Sequence, residues 1–88
     1  MSAAKARVLA VDDDRDLLRL LSIRLRSAGF DVATVDGGEA ALAAVALQAP
    51  DVIVTDKRMA GMDGLALFDA IRRQYATLPV IVLTAYGT

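Results

Sequence analysis

"RVLAVDDDRD", Arg7 to Asp16, is the stretch on which the fold turns. An apolar run, Val8 to Val11, stops on three consecutive aspartates, Asp12, Asp13 and Asp14, and a fourth follows at Asp16. Carboxylates this close raise one another's pKa and oppose folding. Their collection at the end of a buried strand therefore asks for a compensating positive charge.

Further along the chain, "DVIVT" (Asp51–Thr55) and "PVIVLT" (Pro79–Thr84) repeat the apolar, β-branched pattern of "RVLAV" (Arg7–Val11), and "DVATV" (Asp31–Val35) does so more weakly. Three of the four runs are nearly continuous rather than alternating, which predicts parallel strands covered on both faces. Helical patterns lie between them. Over Asp16–Ala28, Leu17, Leu18, Leu21, Leu25 and Ala28 recur at helical spacing, with Arg15, Arg19, Ser22 and Arg26 expected on the opposite face. Asp14 is read as the N-cap, Asp16 as a first-turn charge and Gly29 as the C′ residue. The alanine-rich segment Gly37–Ala49 favours a helix that Pro50 stops. In Asp63–Tyr75, Leu65, Phe68 and Ile71 are expected to face inward, with Arg72 and Arg73 in the last turn. The order β-α-β-α-β-α-β predicts an α/β fold with a parallel sheet and right-handed crossovers.

With 88 residues, the chain is sized for one small domain. We expect a loose tail over 1–6 and the domain over 7–88. Its apolar content is high at 56%, but no apolar run approaches the ~20 residues of a membrane span. No signal-peptide pattern is seen at the N-terminus. A formal net charge of −1 gives no electrostatic reason for this segment to bind nucleic acid directly. Cysteine and histidine are both absent, so disulfides, Cys/His zinc sites and His-based catalysis are excluded.

Sites on such sheets form beyond the carboxyl ends of the strands, at the switch in strand order. If the first, third and fourth strands are neighbours, the Asp12–Asp14 run, Asp56 and Thr84 meet at one edge. A divalent cation would reverse the mutual repulsion. All-oxygen donors select a hard ion, with Mg2+ the natural choice and Mn2+ or Ca2+ as substitutes. A carboxylate beside the ion could act as a nucleophile toward phosphorus, with the Thr84 hydroxyl on a phosphoryl oxygen.

"VDDD", "TDKRMAGMDG" and "VIVLTAYGT" together resemble the receiver domain of bacterial two-component response regulators, from about Arg7 to the last residue. The resemblance implies a flavodoxin-like (CheY-like) three-layer sandwich with strand order 2-1-3-4. It makes Asp56 the phosphoacceptor, Asp13 a direct metal ligand and Asp12 a ligand through water. The Arg58 backbone carbonyl joins the metal set, Thr84 is the switch hydroxyl, and the small Ala85 leaves room for the phosphoryl group. The implied cofactor is Mg2+ and the implied donor a sensor histidine kinase. "MDGLALF" and "LTAYGT" look closest to receivers of large activators carrying an output ATPase and a DNA-binding domain, which implies a cytoplasmic transcription regulator.

Two departures stand out. Ala60 occupies a position where the family often has proline, which leaves the loop after Asp56 less stiff. The chain also ends one strand and two helices short of a full receiver, before the fifth-strand lysine and aromatic switch residue. The uncovered faces of Val8, Ala10, Val52 and Val54, and a bare fourth strand over Val80–Leu83, therefore predict a homo-oligomer such as a dimer. Two other readings stay open: an Asp-nucleophile phosphohydrolase using Asp12, and a self-associating fragment without phosphotransfer. Flavodoxin-type cofactor binding is remote, because the acidic first loop would repel a flavin phosphate.

Overall fold

The computed structural model describes residues 5–83 of the chain. Four strands, β1 (Arg7–Val11), β2 (Asp31–Val35), β3 (Val52–Asp56) and β4 (Val80–Leu83), alternate with α1 (Arg15–Ser27), α2 (Gly38–Leu47) and α3 (Gly64–Gln74). All pairings are parallel and the strand order is β2-β1-β3-β4. This is the α/β, CheY-like arrangement with strand order 2-1-3-4 expected from the sequence.

Local chemistry sets the helix ends. The Asp14 carboxylate accepts from the N–H groups of Asp16 and Leu17 at 3.0 and 3.2 Å, capping α1 as expected. At its other end Gly29 adopts φ +100°, which a side chain would strain. There the Gly29 N–H donates to Arg26 O and the Phe30 N–H to Leu25 O, a Schellman closure. Helix α2 stops at Leu47, two residues short of the expected Ala49, and Gln48 is already extended. Pro50 disfavours helical backbone at Ala49, so the stop reaches back along the chain. Asp63 caps α3 through the Ala66 N–H at 2.8 Å.

The core is asymmetric. On one face of the sheet Leu9, Val11 and Ile53 pack with Ala41 and Val45 of α2 and with Leu67 and Ile71 of α3. On the other, Ala10 and Val32 pack under Leu18 of α1. Three details of the sequence expectation are corrected. Ser22 is buried, only 7% exposed, whereas Leu17 is 52% exposed. The apolar arc of α1 is broad, and the helix turns its Leu18–Ser22 edge, rather than the Leu17 centre, toward the sheet. In α3, Leu67 is fully buried and Leu65 is exposed, because the buried stripe runs Leu67–Ile71. Val8 and Ala10 are buried, although they were expected to be uncovered. Val52 and Val54 are half-buried, while Ile81 and Leu83 are 50% and 43% exposed. Cover on both faces therefore holds for β1, is partial for β3 and fails on the Ile81/Leu83 side of β4. No described helix is long and apolar enough to cross a membrane.

Candidate metal and phosphoacceptor site

Register builds the site. Val8 to Val11 of β1 pair in step with Val52 to Thr55 of β3, so the next residues, Asp12 and Asp56, emerge side by side at the sheet's carboxyl rim. Asp56 is in turn level with Leu83 of β4. Asp13 follows in the β1–α1 loop. One carboxylate oxygen from each of Asp12, Asp13 and Asp56 lies within 4.8 Å of the others. Asp12 and Asp56 are half-buried and Asp13 is exposed. The two ion pairs among the described residues, Arg7–Asp31 and Arg15–Asp36, involve none of the three acids.

Two of the acids, Asp12 and Asp13, are held by backbone N–H groups instead. Asp12 Oδ1 accepts from the Asp14 N–H at 2.9 Å, and Asp13 Oδ2 accepts from the Ala60 N–H at 2.9 Å. Burial pushes the Asp12 carboxyl above its ordinary 3.8; the Asp14 N–H opposes this, and the charges of Asp56, Asp13 and Asp14 add to it. Three clustered carboxylate oxygens, with no basic side chain among the described residues ion-paired to them, are a fit for Mg2+. Its ligands sit 2.0–2.1 Å from the ion, so donors on one octahedron lie roughly 3 to 4 Å apart.

The loop from β3 to α3 closes over the rim by a tight approach. The Gly64 N–H donates to Lys57 O at 2.9 Å, and a Cβ at Gly64 would collide with the Asp56 carbonyl. Sequence reading missed the Gly64 constraint, the Asp63 cap and the Ala60–Asp13 bond. The cap was legible as an aspartate preceding a helical pattern. The bond was not, since no pattern of side chains marks a backbone donor. Below the rim, the buried Thr55 hydroxyl donates to Asp56 O at 3.0 Å, which satisfies it within the core.

Of the residues expected at the site, Asp12, Asp13 and Asp56 are brought together. Arg58 is exposed in the β3–α3 loop, two residues beyond Asp56. Thr84 and Ala85 lie outside the described residues. The rim is open. A groove of about 750 Å³ lies between α1 and β2, among Arg15, Arg19, Arg26 and Asp36, and none of the three acids lines it.

The comparisons agree with this geometry. The model of the response regulator receiver domain matches residues 8–88. The transcriptional regulatory protein GlrR of Escherichia coli is 42% identical over all 88 residues, which make up 20% of its own length. The chain thus spans about a fifth of that relative. The chemotaxis protein CheY4 of Vibrio cholerae superposes with a TM-score of 0.91 at 37% identity, covering 97% of this chain and 72% of that one. TrrA of Thermotoga maritima, solved in complex with Mg(2+)-BeF, superposes at 0.89 with 33% identity over 93% of this chain and 71% of its own. The acidic cluster thus sits on a chain homologous to transcriptional regulators, and the phosphohydrolase reading gives way to the family match. The chain belongs to the response regulator receiver domains and is a signalling module, not a turnover enzyme.

Proposed function

We propose that Asp56 accepts a phosphoryl group from the phosphohistidine of a sensor histidine kinase. A carboxylate oxygen of Asp56 attacks phosphorus in line, the O–P bond forms as the N–P bond breaks, and the imidazole leaves with the bonding pair. Asp12, Asp13 and Asp56, with the Arg58 main-chain carbonyl, would hold Mg2+. When bound, the ion offsets the negative charge that opposes an anionic donor. The Thr84 hydroxyl would bond a phosphoryl oxygen, the small Ala85 would leave room for the group, and the change at β4 would bias a two-state equilibrium read by an output domain. In this reading 7–88 is the receiver unit, 1–6 is its tail, and the parent is a cytoplasmic transcription regulator with ATPase and DNA-binding domains.

The convergence of Asp12, Asp13 and Asp56 within 4.8 Å, with no cationic side chain paired to them, carries the proposal. The test is incubation with acetyl phosphate and Mg2+, followed by intact-mass measurement and peptide mapping. An adduct on Asp56, lost on chelation, is expected. Absence of an adduct both here and in the longer parent, or an adduct mapped to another residue, contradicts the assignment.

Self-association is the second part of the reading. The outer edge of β4 has no strand partner among the described residues, and Ile81 and Leu83 are exposed beside half-buried Val52 and Val54. Such an edge pairs with another chain unless it is covered. Sedimentation should show a homo-oligomer; a monodisperse monomer at high concentration refutes this part.

A further inference from the structure

The Asp12 and Asp13 carboxylates are each tied through one oxygen, but by different parts of the chain. The tie on Asp12 is local, from the Asp14 N–H two residues on. The tie on Asp13 spans 47 residues to the Ala60 N–H, in the loop that also carries Arg58. Asp13 is the exposed member of the three and has no charged partner. Untied, such a side chain turns freely in solvent. Tied at 2.9 Å, it stays within the cluster while its other oxygen remains available.

We propose that the Ala60 backbone N–H is a positioning donor that sets Asp13 for a divalent cation and couples the β3–α3 loop to ion binding. This rests on the metal reading given above. Hydrogen bonds to the ligands of a metal fix their orientation, and losing one typically weakens binding about 10- to 100-fold. The identity of residue 60 matters through its backbone, because proline has no N–H to give. Alanine, standing where the family often has proline, makes a contact that a proline-bearing loop cannot. Coupling is reciprocal: if the bond favours the ion, the bound ion strengthens the bond.

The test measures Mg2+ affinity by calorimetry for the parent, Ala60→Pro and Ala60→Ser. Far-UV circular dichroism checks that each is folded. Ala60→Pro should bind about tenfold more weakly, while Ala60→Ser, which keeps the N–H, binds as the parent does. A second readout needs no variant: hydrogen exchange at the Ala60 amide should slow when Mg2+ is added to the parent. Equal or tighter binding by folded Ala60→Pro, or faster exchange at Ala60 with Mg2+, overturns the proposal, because the bond would then be idle or compete with the ion. A parent that binds no Mg2+ at all overturns the metal reading, and this inference falls with it.

Discussion

Thr55 and Asp56 are consecutive residues of β3, yet they belong to regions built on opposite terms. Thr55 is fully buried against the face covered by α2 and α3, and its one polar group is satisfied within the chain. Asp56 is half-buried at the rim among two other carboxylates, with no cationic side chain paired to it. One step along the strand separates a region arranged for stability from one that lowers it. Folding tolerates the second because the first is well packed: Ile53, Leu67 and Ile71 are completely buried in one cluster. The lesson is that the rim's repulsion is a poised cost, relieved when positive charge arrives.

The largest effect should come at the rim. Asp56→Asn removes the nucleophilic oxygen while keeping the shape, and should abolish the phosphoryl adduct in mass spectra. Removing one of the like charges should also raise the melting temperature measured in chelator. An adduct persisting in Asp56→Asn, or a lower melting temperature without divalent ions, breaks the contrast between the regions.

The next effect belongs to the core. Leu67→Ala should cost about 2–5 kcal/mol in denaturant unfolding, because Leu67 is fully buried in the α2/α3 face. Leu65→Ala, two residues away and half exposed, should cost far less. Equal losses would mean that α3 is rotated from the orientation described here.

Smaller still are the aspartates near the rim that cap helices. Asp14→Ala and Asp63→Ala each remove a cap bond and should cost about 1 kcal/mol. Unlike the Asp56 change, they should lower the melting temperature with or without divalent ions. This separates aspartates used for folding from those used for chemistry.

The smallest effect is in pH dependence. Asp12 holds its proton in the folded chain at pH values where the unfolded chain has lost it, mainly because burial penalises its charge. Its contribution to stability in metal-free protein therefore falls as pH rises from 3.8 through the elevated folded value, and is constant above that. Asp12→Asn should flatten this part of the stability–pH curve. A slope of unchanged size assigns the titration to another group.

Much of this was legible from residue order. The four apolar runs, Asp14 before a helical repeat and Gly29 after it, and the strand ends at Asp12 and Asp56 each carry a local signal that the fold obeys. Orientation was less legible. Along α1 the apolar arc is broad, reaching from Leu18 through Leu21 and Leu17 to Leu20 and Ile23, and packing on Ala10 and Val32 selects its Leu18 edge. Leu65 and Leu67 pose the same ambiguity in α3. The Ala60–Asp13 bond was illegible because its donor is backbone, and its partner lies 47 residues away.

The central claim is that Asp12, Asp13 and Asp56 coexist as a divalent-ion site, and Mg2+-dependent thermal unfolding tests it most directly. An ion bound only by the folded state at ten times its Kd adds about 1.4 kcal/mol, which should raise the melting temperature by roughly 5–10 °C. Asp13→Asn, which removes one ligand charge, should lose most of that rise. A parent chain whose melting temperature ignores Mg2+, or an Asp13→Asn chain that responds to it as fully as the parent, would contradict the account.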